Sequence, residues 1–174
     1  MRHLARSFAI LMIVLGALSA LAGSAAAQTV QAGCVFEAAG DGRQILHCQR
    51  NVTITLERGA RFSLADRDSD GNADALLLRY KAALVDSPPG SHFQVVTPQA
   101  IAAVRGTRWA VDVGSGKTAV FVERGGVGVQ RTTGGAGVVL GPGEGVDVEA
   151  GGGPLTVRTW GAPRIAALMA RLGQ

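Results

Sequence analysis

The sequence predicts an all-β fold: many short strands in a β-sandwich, roll or short solenoid, ending in a short C-terminal helix. Three observations predict it. From residue 52 onward, short runs rich in Val, Thr and Ile recur at a spacing of about ten residues. Glycine, 25 of 174 residues, bounds these runs and shows no period of three, so it marks turns and not collagen. No helical period competes until the C-terminus. Aromatics are only 5%, so the core must be mostly aliphatic, and 47% hydrophobic against 17% charged residues excludes a disordered tail.

The first 27 residues read as a signal peptide. Arg2 and Arg6 form a positive n-region, residues 8–22 are almost wholly apolar, and Ala25-Ala26-Ala27 offers a small-residue cleavage site before Gln28. An uncleaved anchor is the alternative. A lipoprotein reading would use Cys34, but Gln31 stands where a lipobox wants Leu. Cleavage leaves 147 residues with a net charge of +2 and no transmembrane anchor, in the periplasm or secreted. That charge, with no basic cluster in the sequence, does not point to nucleic acid.

Residues 28–92 read as N-terminal strands of the β domain. Export makes Cys34 and Cys48 a disulfide pair, and Gly40-Asp41-Gly42 between them is a turn signal that lets a hairpin bring them together. A metal site at Cys34, Cys48 and His47 lacks a fourth ligand, and a redox pair would be more closely spaced. Strands are expected at Val52–Leu56, Arg61–Ala65 and Ala75–Val85. Residues 93–150 are denser, with strands at 93–97, 100–104, 108–113, 118–122, 127–130, 138–140 and 146–149. Residues 151–174 add a final strand at 155–159 and the helix. There Ile165, Leu168, Met169 and Leu172 share one face. Pro163 suits its first turn and Gly173 its end. So short a helix is marginal alone, which favours packing on the core over binding a partner.

Gly114-Ser115-Gly116-Lys117-Thr118 resembles the end of a phosphate-binding loop. Val111 replaces the earlier glycine and the next residues alternate like a strand, so a hairpin turn is expected and no nucleotide. The run from Asp66 to Asp74 sets Asp66, Asp68 and Asp70 at alternate positions with Asp74 four residues on, a pattern that can wrap calcium. Leu77 stands where an EF-hand needs Glu, so an acidic turn with Gly71 and Asn72 left-handed is the plainer expectation. No other cofactor is implied. His47 and His92 are the histidines beyond the signal, no nucleophile elbow accompanies them, and Asp86 and Asp112 pair with a base only on paper; no catalytic residue is assigned.

From Phe93 the chain reads FQVVTPQAIAAVRGTRWAVDV, then TAVFVERGGVGV and VVLGPGEGVDV. Thr97-Pro98, Val104-Arg105-Gly106-Thr107 with Trp109, Glu123-Arg124-Gly125, and Pro142-Gly143-Glu144 resemble the FecR domain over Phe93 to Val148. The resemblance implies an all-β extracytoplasmic sensing or interaction module that meets a protein partner in the cell envelope. Full-length regulators of this kind carry an anti-sigma segment and a transmembrane helix before the domain, where this chain carries a cleavable signal. The motif residues have a structural reading: Gly106 and Gly143 permit turns, Arg105 satisfies loop carbonyls or Glu144, and Trp109 packs in the core or a hairpin. In the functional reading Arg105, Thr107 and Glu144 face the partner. Three functions thus stand side by side: a non-enzymatic FecR-type interaction module, a calcium-stabilised envelope or secreted β protein using the Asp66–Asp74 loop, and an enzyme.

Overall fold

The computed structural model describes residues 30–104 and 106–174. The predicted signal peptide and Arg105 lie outside them. Fourteen strands and one helix follow in order: β1 (Val30–Gln31), β2 (Cys34–Ala38), β3 (Gln44–Cys48), β4 (Val52–Leu56), β5 (Arg61–Ala65), β6 (Ala75–Asp86), β7 (Phe93–Val96), β8 (Ala100–Val104), β9 (Arg108–Gly114), β10 (Lys117–Arg124), β11 (Val127–Arg131), β12 (Val138–Leu140), β13 (Glu144–Glu149), β14 (Val157–Thr159) and α1 (Ala162–Arg171). The expected strands are present, most within two residues of their expected ends. The expected β2–β3 hairpin sets Cys34 opposite Cys48, and the two form a disulfide. It should stabilise the fold by about 3 kcal/mol.

Two sheets share one strand. Sheet A runs β1-β2-β3-β4-β6-β9-β10-β13-β14, antiparallel throughout. Sheet B runs β5-β6-β7-β8-β11-β12, with β6 and β7 parallel. Their facing residues make one aliphatic core around Trp109, including Leu46, Ile54, Leu76, Val95, Val111 and Leu140. Of the architectures expected, this is a sandwich rolled about β6.

The run Ala75–Asp86 reads as one strand, and it serves both sheets because it is broken in register. Tyr80 faces Arg61 and Leu78 faces Phe62, so Arg79 is an extra residue. Lys81 follows with φ +71°. An unbroken strand would keep Leu76, Leu78, Ala82 and Leu84 on one face. The extra residue shifts the alternation, so Leu76 and Leu78 before it and Ala83 and Val85 after it all enter the same core. Ala82 and Leu84 turn to the outer face of sheet A.

On β6, β9 and β10 that outer face is covered by α1. Leu168, Met169 and Leu172 are buried with Ala82, Leu84, Ala110, Ala119, Phe121 and Trp160, and Ile165 packs at the margin. Each large side chain buried there contributes roughly 1.5–3 kcal/mol, which a ten-residue helix needs to hold its shape. Trp160 stacks on Phe121 at 5.1 Å, and the Arg164 guanidinium lies 3.5 Å from the Trp160 ring centroid. At the far end Arg171 grips two carboxylates, Glu57 (3.1 and 2.5 Å) and Asp112 (2.7 and 2.8 Å). Burial pushes the Glu57 carboxyl up, but Arg171, the Ala82 N–H and Lys81 together hold it below its ordinary 4.5.

Two outcomes are expected. Lys81→Val should lower unfolding free energy by about 1–3 kcal/mol, because a β-branched residue resists the left-handed region. Lys81→Asn, which loses the same charge but tolerates that conformation, should cost clearly less in urea denaturation; equal losses would refute the strain. For the clamp, a depressed folded pKa means the unfolded chain takes up the proton first as pH falls. Its contribution is complete above pH 4.5 and lost as pH drops through the lower folded value. Melting temperature should fall steeply there, and Glu57→Gln should flatten that limb.

Candidate functional site

The motif residues occupy turns. Thr97 is buried, and its hydroxyl accepts the Ala100 N–H (2.9 Å) and bonds Thr118 (2.8 Å), closing the β7–β8 turn that the exposed Pro98 rounds. Gly106, at φ +79°, leaves no room for a side chain: a Cβ would stand 2.3 Å from the Pro89 Cα. Gly125, at φ +88°, is pressed against Thr107 in the same way. Thr107 is buried beside Ser87, whose N–H donates to its carbonyl (2.9 Å), and Trp109 is fully buried in the core. Glu144 turns back on its own loop and accepts the Gly141 N–H at 2.7 Å, with Pro142 and Gly143 forming the bend. Thr107 is thus enclosed in the fold, and the half-buried Glu144 bonds its own loop. Arg105 lies outside the described residues. At another loop, Arg131 donates to the carbonyls of Glu149 (2.6 Å), Gly151 (3.1 Å) and Gly153 (3.1 Å) and so organises the glycine-rich segment before β14.

What these turns hold in place is the outer face of sheet B. Alternation sends Phe93, Val95, Ala100, Ala102, Val104, Val127 and Val129 inward, and leaves Gln94, Val96, Ile101, Ala103, Gly128 and Gln130 on the other side. No helix covers them among the described residues. Two adjoining cavities of about 670 and 560 Å³ share Arg67, Gln94, Ala103, Gly128 and Val139 and form one trough across the strands. Its floor is small and apolar because Ala103 and Gly128 raise little above the sheet. Val139 on the edge strand β12 is 77% exposed and forms one side. The opposite rim is polar: Arg67 holds Asp74 (3.1 Å) and donates to Gln94 (2.9 Å), and His92 stands exposed beside them. An apolar floor inside a polar rim matches a protein-binding patch.

The acidic loop between β5 and β6 borders this rim. Oxygens of Asp66, Asp68 and Asp70 all lie within 4.8 Å of one another. Asp74, the fourth carboxylate of the run, stands with Arg67 instead. Asp66 also accepts the backbone N–H groups of Asp70 (3.1 Å) and Gly71 (2.8 Å), and Asp70 pairs with Arg50 (2.5 Å). The left-handed residues are Ser69 and Gly71; Asn72 is not one of them. The Gly114–Lys117 segment is the expected hairpin turn, with Ser115 and Gly116 left-handed. His47 faces Glu37 (3.0 Å) on the β2–β3 hairpin, and no hydroxyl contacts either histidine among the described residues. Asp86 pairs with Arg108 and Arg124, and Asp112 with Arg171, so neither is set against a base.

The family described as FecR protein matches residues 35–128. The match reaches back through the N-terminal hairpins, which carry no motif legible at the sequence level, and stops before Pro142-Gly143-Glu144. Two crystal structures of a candidate anti-sigma factor from Parabacteroides distasonis ATCC 8503, at 2.50 and 1.65 Å resolution, share the fold. Their TM-scores are 0.58 and 0.59, each at 20% identity, covering 73% and 77% of this chain. This chain spans 60% and 64% of theirs, less than two thirds of their length. No curated protein matches the sequence.

Proposed function

Because the chain belongs to the FecR protein family, which matches it over residues 35–128, we propose that it is a non-enzymatic extracytoplasmic signalling module that binds a protein partner of the cell envelope through the open face of sheet B. One observation carries the reading. Both sheets have an outer face. The helix α1 covers the apolar part of that of sheet A, over β6, β9 and β10, whereas on sheet B Ile101 and Ala103 stand half-buried and Val139 exposed in a trough with a polar rim. Apolar side chains held by a sheet at a solvent boundary form a surface complementary to a partner. The Cys34–Cys48 disulfide supports an oxidising compartment, as does the predicted signal. Among the described residues no helix is long and apolar enough to cross a membrane. The similar solved structures are described as anti-sigma factors, which supports a regulatory role executed by protein contact.

A second reading, a calcium-stabilised envelope protein, is favoured by the convergence of Asp66, Asp68 and Asp70. Carboxylate oxygens at that spacing suit a hard cation.

Ile101→Arg and Val139→Glu should each abolish recovery of the partner captured by the unaltered protein from envelope extracts, while unfolding free energy stays within about 0.5 kcal/mol. Undiminished capture by both variants would refute the open face as the binding surface. For the second reading, melting is measured in EDTA and with added Ca²⁺. A rise of several degrees on adding calcium, lost in Asp68→Asn, is the result that reading requires; an unmoved midpoint removes it.

A further inference from the structure

The corner where β6 passes between sheets has a surface chemistry unlike the rest of the molecule. Twelve arginines lie among the described residues, and eight of them hold carboxylates or carbonyls: Arg43, Arg50, Arg67, Arg108, Arg124, Arg131, Arg164 and Arg171. Of the four others, Arg58 in the turn before β5, Arg61 on β5 and Arg79 on β6 are exposed and carry no ion pair to a described residue. Tyr80, 45% exposed, follows Arg79 in β6. Arg61 faces Tyr80 across the β5–β6 pair, with its guanidinium carbon 5.9 Å from the ring centroid. The Lys81 ammonium lies 5.4 Å from that centroid. Arg79 is the extra residue of the bulge, next to Tyr80 in the chain, and Arg58 sits in the turn that leads into β5, with its stem along Gly42. One carboxylate, Glu57, meets this group: it is 3.4 Å from Lys81 and is already held by Arg171.

The shape narrows the partner. The side chains of this corner stand outward: Arg58, Arg61, Arg79 and Tyr80 are exposed, and the principal cavities are lined by other residues. A small anion or a peptide segment is recognised in a concavity that surrounds it. A planar anionic surface needs none: it needs several long cationic side chains that reach phosphates independently, and an amphipathic ring that rests at headgroup depth. We infer that Tyr80, with Arg61 and Lys81 beside its ring and Arg58 and Arg79 exposed on the adjoining turn and strand, is a docking point on an anionic phospholipid surface. The guanidinium and ammonium groups meet headgroup phosphates, and the cations already beside the ring are carried to the interface with it. This site shares no residue with the trough and does not depend on it.

The test is cosedimentation of the whole protein with phosphatidylglycerol-containing vesicles and with pure phosphatidylcholine vesicles. The unaltered protein is compared with Arg58→Gln/Arg61→Gln/Arg79→Gln prepared identically. Each basic residue near such a surface is worth about fivefold in partitioning, so the triple variant should bind the anionic vesicles roughly a hundredfold more weakly. Raising salt from ~0.05 to ~0.5 M should remove most of the binding by the unaltered protein, as the charges are screened. Tyr80→Ser should weaken it further at fixed charge, and matching melting curves establish that the variants are folded. Any of three results would overturn the inference: equal binding of unaltered and triple-variant protein to anionic vesicles, equal binding of the unaltered protein to neutral and anionic vesicles, or retention on soluble polyglutamate without retention on vesicles.

Discussion

The whole architecture depends on one extra residue in β6. A strand twelve residues long presents alternate side chains to opposite sides. When it leaves one sheet and enters a facing one, the side that looked into the core must go on doing so. The bulge at Arg79 and the left-handed Lys81 make the change of phase and the change of direction together. Without them Leu76 and Leu78 would be buried at the expense of Ala83 and Val85, and the core around Trp109 would lose one of its walls. The polar groups at the bend are tolerated because they face solvent.

The same phase change sets the division of labour between the sheets. It delivers Ala82 and Leu84 to the outer face of sheet A, where small side chains leave room for α1. Arg171 then fastens the end of the helix to Glu57 and Asp112, two strands apart in sheet A, through charge-assisted hydrogen bonds from a planar fork. The helix thereby closes the part of sheet A formed by β6, β9 and β10, while Thr53 and Thr55 keep the outer side of β4 polar. Sheet B lies on the far side of the core from the helix, and among the described residues no element covers it. The family's glycines and threonines act at one remove, holding the turns that keep those strands in register.

Much of this was legible in the sequence, for identifiable reasons. Strands such as Val52–Leu56 announce themselves because one side is apolar and the other is threonine. The hairpin of Cys34 and Cys48 is marked by a glycine turn, and α1 by four apolar residues on one face. The division of β6 was hidden because Ala75–Val85 is apolar almost throughout, so nothing in its periodicity marks the residue at which the phase slips. The open face was hidden for a related reason: in Ala100-Ile-Ala-Ala-Val104 both sides are apolar, and alternation cannot tell which one is covered. Arg131, whose neighbours are unremarkable, acts on a loop some twenty residues away, beyond the reach of local motifs. The basic corner unites residues from a turn and two strands, so no run of charge foreshadowed it.

The bond between Glu57 and Arg171 joins residues 114 positions apart, and this imposes an order in time. A polypeptide that emerges from a ribosome or a translocation channel with its N-terminus first can close the β2–β3 hairpin early. It can pair β6 with β4 and β5 as these emerge, but it cannot extend sheet A past β6 until β9 has appeared, or cover β6, β9 and β10 until α1 is free. Until then Ala82 and Leu84 are bare and the strands beside them have open edges, the state in which a nascent chain is most prone to stick to others. Seating α1 thus seals the apolar outer side of β6, β9 and β10 only after all three strands have paired.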